Sequence, residues 1–356
     1  MSLAREFGLT EREAAAAFGA VRTVVEAQGD PGPRGARLLE VAASALDLGP
    51  DWHALAPASA AEVAAAFPGA TARRALVDAL VIPAAIEGEV TVAGAALVRS
   101  FARSLGVKSH WVTLLVAMSR RNVFAITRQL ARRSPDARRL FARTWAEEGL
   151  LGIGRALLFV LGVYRDAPLA ARFRALGALP EGTFGRQFFD HIVSRGLTFP
   201  GERDGLPERM LHHDLMHVVN GYGTDPAGEC ELAGFYAGFS RGDSFTFILI
   251  VLTTFHLGLP VSPAAVQPAR GAFDAARVLS AFLRGRRLAV DVMGAWDYWA
   301  LMPLSHEVVR EKLGIAAAAP GDAGTQEAVD LVDLVVGDVR RGPKGEEEYR
   351  AGSTTT

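Results

Sequence analysis

Apolar residues recur at helical spacing over long stretches of this sequence, most clearly over residues 71–105, 138–164 and 271–302. Alternation of apolar and polar residues, which is the pattern of a half-buried β-strand, is short everywhere. A period near 3.6 residues predicts an amphipathic α-helix with one buried face. Clusters of glycine and proline, such as those at 29–33 and 177–182, separate these stretches. The sequence therefore predicts an all-α protein.

Length and charge limit the classes of function. The chain has 356 residues, 50% of them hydrophobic, and its 38 basic and 39 acidic residues leave a net charge of −1. This length suits two domains of about 100–200 residues each. The charge balance gives no general attraction to nucleic acid, and we expect no such partner. The first residues lack the pattern of a secretory signal, so we expect a cytoplasmic protein.

The longest apolar run covers residues 245–259 and contains His256. It is shorter than the about 20 apolar residues that a membrane-spanning helix needs. The run therefore predicts a buried helix, with His256 as a hydrogen-bonded core residue in preference to a residue that lines a ligand pocket. The single cysteine, Cys230, fits a reducing compartment, and we expect it to act as a small buried hydrophobic residue.

The N-terminal part of the chain contains an internal repeat with an offset of 59 residues. Seven residues are identical in the two copies: Gly29, Gly35, Ala36, Leu38, Ala43, Leu46 and Trp52 recur as Gly88, Gly94, Ala95, Leu97, Ala102, Leu105 and Trp111. The repeated unit predicts a helix, a glycine turn and a second helix.

The second copy, over residues 76–107, resembles the TerB-like helical domain of tellurite-resistance proteins. This resemblance implies a helical bundle with a tandem repeat over residues 1–145 that serves interaction. The family usually has Asp-Gly where this chain has Glu87-Gly88 and, in the first copy, Gln28-Gly29. We therefore expect no metal ion at these turns.

Arginine is concentrated in one predicted helix, residues 120–143. Its basic residues are Arg120, Arg121, Arg128, Arg132, Arg133, Arg138, Arg139 and Arg143, against the single acid Asp136. One interpretation is a solvated face that keeps the protein soluble. The other is peripheral contact with anionic lipid headgroups on the inner face of the cytoplasmic membrane, to which each basic residue near the surface contributes ~1 kcal/mol.

The segment 206–221 carries histidines at helical spacing. Pro207 suits the first turn of a helix and Gly221 suits its end. His213 and His217 are then four residues apart on one helix. Their imidazoles point to the same side, and such a pair can hold one metal ion.

A second helix is predicted to begin at Asp225, because aspartate is a preferred N-cap residue and the proline after it is tolerated in the first turn. Glu229 projects from the same face of this helix as the apolar residues Leu232 and Tyr236. A buried carboxylate at that position needs a partner. A metal ion held by the two histidines would supply one.

The pattern His213-Asp214-x-x-His217, followed by eleven residues and Glu229, resembles the signature of the Coq-four family of coenzyme Q (ubiquinone) biosynthesis proteins. The resemblance extends over residues 179–315 through Leu179-Pro180-Glu181-Gly182-Thr183-Phe184-Gly185-Arg186, Arg284-Gly285, Trp299, Arg310 and Leu313-Gly314-Ile315. It implies a helical metal-binding and prenyl-lipid-binding domain over residues 146–320. A last helix and a disordered tail are expected over residues 321–356.

The resemblance implies that the metal ligands are His213, Asp214, His217 and Glu229. Asp214 is about 100° around the helix from His213, so it either binds the metal directly or orients a ligand. This mixed donor set suits zinc and also iron, manganese or magnesium, and ligand type alone does not choose among these divalent metals. Zinc is the metal that we expect first.

The resemblance also implies a function. It predicts a protein that binds a polyprenylated aromatic intermediate beside the metal. If the protein is an enzyme, it removes the ring C1 carboxylate by oxidative decarboxylation. It is expected to act as a homo-oligomer or within a biosynthetic complex. Arg186, Tyr222 and Tyr236 are candidate substrate contacts. A loop arginine can hold an anionic group through two hydrogen bonds, and the alternative for Arg186 is a structural ion pair.

Two other functions remain open. A non-catalytic lipid-binding or assembly module would retain the metal for structure, which the fused N-terminal repeat favours. A metal-dependent phosphohydrolase is the second alternative, because His213-Asp214 also resembles the dyad of the HD superfamily. That superfamily takes its further ligands from an upstream histidine and a distant aspartate, whereas Glu229 is close by.

Overall fold

The computed structural model describes residues 8–27, 29–133, 165–203, 205, 208, 211–240, 245–261, 267–288, 290, 292 and 296–315. Within these ranges the regular secondary structure is helical and no β-strand is present. The predicted all-α class is therefore confirmed.

The helices of these ranges are numbered in chain order. Up to residue 133 they are α1 Glu11–Glu26, α2 Pro33–Ala45, α3 Ala60–Ala66, α4 Ala70–Ala79, α5 Val92–Ser104, α6 His110–Ser119 and α7 Val123–Arg133. From residue 165 onward they are α8 Ala167–Ala175, α9 Phe184–Ser194, α10 His212–Asn220, α11 Pro226–Phe239, α12 Phe245–Val251, α13 Ala275–Arg286, α14 Tyr298–Leu301 and α15 His306–Leu313. A π-helical turn, Leu252–His256, follows α12.

The described residues form two compact units. One contains the residues up to 133 together with those of 225–286, and the other contains those of 165–224 and 287–315. Each unit is discontinuous in sequence, whereas the domains predicted from the sequence are continuous, with boundaries at residues 145 and 320. The boundary at 145 and the expected tail over 321–356 lie outside the described residues.

In the first unit, the internal repeat is also a repeat of structure. α2 and α5 each have 13 residues, and their bounds differ by 59. Gly29 and Gly88, which precede these helices, have φ angles of 113° and 92°, a region that favours glycine. Asp47 and Gly106, which follow the same helices, have φ angles of 55° and 69°. The predicted unit of helix, glycine turn and helix is therefore present in both copies.

Glu87 links the two copies. Its Oε1 accepts a hydrogen bond of 2.9 Å from the backbone N–H of Gly35, in the first turn of α2. A carboxylate at this place satisfies an otherwise unpaired N–H group and interacts favourably with the helix dipole. Glycine leaves room for it, since a Cβ atom at residue 35 would lie 2.6 Å from the same oxygen. The glutamate of the turn therefore has a structural role.

The apolar run of residues 245–259 is a buried helix, as predicted, and His256 lies at its end with no exposed surface. The His256 Nδ1 atom is 3.2 Å from the backbone nitrogen of Phe273, and its Nε2 atom is 2.8 Å from the carbonyl oxygen of Ile86. Because the N–H of Phe273 donates to Nδ1, the proton is on Nε2 and is donated to the carbonyl. The prediction of a hydrogen-bonded core histidine is confirmed.

We expect the metal-free protein to lose stability as the pH falls below 6.5. Burial lowers the pKa of His256 from its ordinary value of 6.5, so the folded state takes up this proton less readily than the unfolded state. The contribution of neutral His256 to stability is complete above the pKa that this residue has in the unfolded state. It is lost progressively as the pH falls toward the pKa of His256 in the folded state. Burial of His110 lowers its pKa to about 4 and acts in the same direction.

Urea unfolding at about pH 7.5 and about pH 5 measures this loss, because the two conditions lie on either side of the unfolded pKa. A His256→Gln variant has no titrating group at this position, and its stability should change less between the two conditions. Equal free energies of unfolding of the wild type at both pH values would contradict the prediction.

α11 and α13, both in the first unit, lie against each other with glycines at the contact. A Cβ atom on any of three glycines would lie within 2.4 Å of a carbonyl oxygen on the other helix. The glycines and the carbonyl groups that they face are Gly234 and Val278, Gly238 and Phe282, and Gly285 and Phe235. Any side chain at these positions would force the two backbones apart. Glu231 and Arg277 add an ion pair of 2.7 Å between the helices.

In the second unit, two contacts hold α9 and α10 in place. The backbone N–H of Phe184, at the start of α9, donates to the carbonyl of Leu304 at 2.8 Å. The Nε2 atom of His306, on α15, lies 3.1 Å from the carbonyl oxygen of Val219 in the last turn of α10. These bonds tie both helices to the segment that ends the unit.

The arginine-rich segment is described only in part. α7 forms its residues 123–133, and residues 134–143 lie outside the described ranges. Arg121, Arg128 and Arg132 are exposed, and so is Phe124, with 79% of its surface accessible. Among the helices that the structure describes, none combines the length and the apolar character needed to cross a membrane. Contact of this segment with anionic lipid stays a prediction.

Candidate metal centre

Each of the two helices that carry the predicted ligands has one end where local rules place it. α10 ends at Gly221, whose φ of 74° lies in the left-handed region, as predicted. Asp225 caps α11, because its side chain accepts hydrogen bonds from the backbone N–H groups of Ala227 and Gly228. α10 begins at His212, and Pro207 lies outside the described residues.

His213, His217 and Glu229 form a group that can hold a metal ion. Each offers one ligand atom, a ring nitrogen or a carboxylate oxygen, and these three atoms all lie within 4.8 Å of one another. His217 is 1% exposed, and the other two residues are partly exposed. Ligand atoms at about 2.0–2.2 Å from a shared tetrahedral metal are roughly 3–4 Å apart. The spacing of the three ligand atoms is therefore compatible with one shared metal ion.

Two hydrogen-bond acceptors orient the imidazoles. The Nδ1 atom of His213 lies 3.1 Å from the Oδ1 atom of Asp214, and the Nδ1 atom of His217 lies 3.3 Å from the carbonyl oxygen of Tyr222. A carboxylate and a carbonyl only accept hydrogen bonds, so Nδ1 is the donor in both cases. The lone pair is then on Nε2 of each ring, which is the nitrogen that would bind a metal.

Asp214, the fourth predicted ligand, lies beside His213 and outside the group of three. It is 9% exposed, and its carboxylate accepts the hydrogen bond from the His213 ring. A carboxylate in this position fixes the ring and makes its other nitrogen more basic. The structure therefore places Asp214 where the second of its two predicted roles, orienting a ligand, can be performed.

We expect Asp214→Asn to weaken metal affinity by about 10–100-fold, because removal of a group that orients a ligand histidine has an effect of this size. A competition titration of Zn²⁺ against a chelating indicator measures the change. Asp190→Asn is the control, since Asp190 pairs with Arg186 on α9 and has no contact with the ligand histidines. Equal affinities of the Asp214→Asn variant and the wild type would contradict the orienting role.

Arg186 has a structural ion pair with Asp190, which is the predicted alternative to a substrate contact. Its Nε atom donates to the two carboxylate oxygens of Asp190 at 3.0 and 3.1 Å, and its Nη1 atom donates to the carbonyl oxygen of Gly177 at 3.3 Å. These contacts hold the guanidinium against its own helix and the preceding turn. Its contact with substrate stays a prediction.

The side chains of Tyr222 and Tyr236, the other two predicted substrate contacts, are buried. Tyr222 is 8% exposed and contributes its backbone carbonyl to His217. Tyr236 is 4% exposed, and its ring centroid lies 5.4 Å from that of Phe239 and 5.6 Å from that of Phe247. Both tyrosines form part of the core, and substrate contact by either stays a prediction.

Cys230 follows Glu229 on α11 and is 1% exposed. Burial raises the pKa of its thiol to about 12, so the thiol stays protonated at neutral pH. A buried, protonated thiol is a poor nucleophile and a poor metal ligand. The prediction of a small buried hydrophobic residue is confirmed.

His191, on α9, was not among the site residues predicted from the sequence. This residue is 7% exposed, and its ring stacks on that of His217 with a centroid distance of 6.2 Å and an interplanar angle of 26°. Burial, followed by the positive charge of Arg195, lowers the pKa of His191 to about 4. Its spacing from Phe184 and Phe188, seven and three residues, places all three on one helix face. This spacing from two apolar residues was the signal in the sequence that His191 lies on a buried face.

The donor set of the group consists of two imidazole nitrogens and one carboxylate oxygen. This combination is intermediate between soft and hard and fits zinc, and it also fits iron(II). The residues present thus suit a divalent transition metal.

No protein-family model matches this chain, and no curated protein sequence matches it.

Proposed function

We propose that this protein is a divalent-metal-dependent enzyme that acts on a polyprenylated aromatic carboxylate in ubiquinone biosynthesis. The observation that carries the proposal is the group of His213, His217 and Glu229, whose ligand atoms lie within 4.8 Å of one another. The spacing of these residues, together with the likeness of residues 179–315 to the Coq-four family, supports the class of substrate.

The number of ligands supports a catalytic role over a structural one. Structural zinc sites are usually closed by four protein ligands, whereas catalytic sites keep one position for water or substrate. Among the described residues, the group offers three ligand atoms. A set of two histidines and one carboxylate also occurs in iron(II) oxygenases. Because the proposed reaction is an oxidation, iron(II) should be tested beside zinc.

The reaction replaces the ring carboxylate by a hydroxyl group. With dioxygen as oxidant and two electrons from a reductant, the carboxylate takes up three protons and yields the phenol, carbon dioxide and water. A bound metal ion would supply a Lewis acid that grips the carboxylate or phenolate oxygen and stabilises negative charge there. Asp214 accepts a hydrogen bond from the Nδ1–H group of His213, and the carbonyl of Tyr222 accepts one from the Nδ1–H group of His217. Nε2 of each ring is then the ligand atom.

Native mass spectrometry and lipid extraction of the protein from its own source test this proposal. We expect one metal ion per chain and a lipid that contains a prenyl chain and an aromatic ring. The protein loaded with zinc or with iron(II) should then release carbon dioxide from a prenylated hydroxybenzoate in the presence of dioxygen and a reductant.

Two results would contradict the proposed enzyme. Purified protein that contains no metal ion would show that His213, His217 and Glu229 do not form a metal site. Binding of metal and lipid without release of carbon dioxide, with either metal, would instead support the non-catalytic lipid-binding or assembly module.

A further inference from the structure

One buried imidazole beside the metal centre has no role in the proposed ligand set. His191 is 7% exposed. Its Nε2 atom is buried, and among the residues that the structure describes it has no hydrogen-bond partner. Buried polar atoms in folded proteins nearly always have a partner, which is a protein group, an ordered water, an ion or a ligand. The position of this nitrogen therefore points to a partner other than the described protein groups, such as a bound ligand.

His191 lies next to the ligand histidines. Its ring is stacked on that of His217. The ring of His213 contacts that of His217 edge to face, with a centroid distance of 4.8 Å and an interplanar angle of 73°. His191 does not belong to the group whose ligand atoms lie within 4.8 Å of one another. It is therefore close to the ligands without being one of them, which is the place of a group that contacts a molecule bound at the metal.

The helix holds this imidazole firmly. Phe184 and Phe188, on the same face of α9, have no exposed surface. Thr183 caps the helix through its hydroxyl group, which accepts the backbone N–H of Arg186. A side chain fixed in this way loses little conformational freedom when it binds a ligand, and this favours binding.

Both Arg195 and the carboxylate of Asp214 act on His191, and the positive charge of Arg195 has the larger effect, which favours an anionic ligand. Arg195 follows it by one turn, and its Nε atom donates a hydrogen bond of 3.0 Å to the hydroxyl group of Thr224. A positive charge beside a hydrogen-bond donor strengthens the attraction for a carboxylate or phenolate oxygen.

We propose that the Nε2–H group of His191 donates a hydrogen bond to an anionic oxygen of the aromatic ligand at the metal centre. This inference rests on the proposed function, because it requires a metal ion on His213, His217 and Glu229. It adds a group that binds the ligand and leaves the metal ligands unchanged.

The test compares zinc-loaded wild type, His191→Phe and His191→Gln as full-length proteins. Phenylalanine retains a ring but has no N–H group, whereas the glutamine amide reaches the position of Nε2. The probe is 4-hydroxybenzoate, a soluble aromatic carboxylate, and isothermal titration calorimetry measures its affinity. We expect His191→Phe to bind the probe about 10–100-fold more weakly, because the lost hydrogen bond is to a charged group. His191→Gln should recover most of the affinity, and all three proteins should hold one zinc ion.

Should thermal unfolding show that His191→Phe is not folded, His191→Asn takes its place. The asparagine amide is shorter and reaches the position of Nδ1, so it should fail to restore binding of the probe. A difference between asparagine and glutamine at this position would show that the location of the N–H group matters, which a purely structural role does not explain.

Three results would overturn the inference, and they are distinguishable. Equal affinity of the zinc-loaded wild type and His191→Phe for the probe would show that His191 donates no hydrogen bond to it. The proposed function would remain intact. Loss of zinc from both His191→Phe and His191→Gln would make His191 a metal ligand. A wild-type protein that binds no zinc would overturn the proposed function, and the inference with it.

Discussion

Replacement of His217 by alanine should remove the metal from the protein. His217 contributes one of three ligand atoms, is 1% exposed and lies in ring contact with His213. Its loss leaves one imidazole and one carboxylate, too few ligands for a stable transition-metal site. We expect the affinity to fall by more than about 100-fold, the upper end of the effect of a residue that only orients a ligand.

Elemental analysis of the purified variant measures the metal content directly. His212→Ala is a matched control, because it removes an imidazole from the same helix at a position outside the group of three. Glu229→Gln retains the size of the side chain and removes its charge, so it should also weaken binding. An unchanged metal content in His217→Ala would exclude the proposed site.

Replacement of Gly285 by alanine should destabilise the first unit by about 1–3 kcal/mol, the usual effect of an overfilled contact. The new Cβ atom would lie 2.0 Å from the carbonyl oxygen of Phe235. Both atoms belong to rigid helices, α13 and α11, so neither can move aside without a shift of backbone. The about 1 kcal/mol by which alanine is the better residue inside a helix offsets part of this loss, so we expect the measured value toward the lower end of the range.

The midpoint of urea unfolding measures the loss. Gly49→Ala is the control, because residue 49 has a φ of −60° and a Cβ atom there would meet no atom within 4 Å. A glycine of this kind can be replaced with a gain of about 0.4–1 kcal/mol, since alanine restricts the unfolded chain. Equal midpoints for Gly285→Ala and the wild type would show that α11 and α13 can move apart at no cost.

Local rules of sequence were sufficient for the fold class and for one end of each helix that carries the site. An aspartate before a proline predicted the start of α11 at Asp225, and a glycine predicted the end of α10 at Gly221. The four-residue spacing of His213 and His217 predicted that they share a face. These predictions succeed because caps, left-handed residues and helical periodicity depend on interactions within a few residues of the chain.

The repeat was also readable from the sequence, since the offset of 59 residues recurs in the bounds of α2 and α5. The structural role of Glu87 was not readable from the sequence. Replacement of the usual aspartate by Glu87 predicted only that a metal ion is absent from the turn. The bond from Glu87 to Gly35 joins residues 52 positions apart, and no pattern within one copy contains that partner.

The tertiary structure alone decided which distant groups meet. His256 pairs with Ile86, 170 residues away, and glycines of α11 and α13 face each other's carbonyl groups. His191 reaches His217 from another helix, and Asp214 accepts a hydrogen bond from the His213 ring, a role that helical spacing left open. Spacing along a chain determines the face on which a side chain lies. The partner opposite that face depends on how helices pack, and packing is set by the shape and volume of many side chains together.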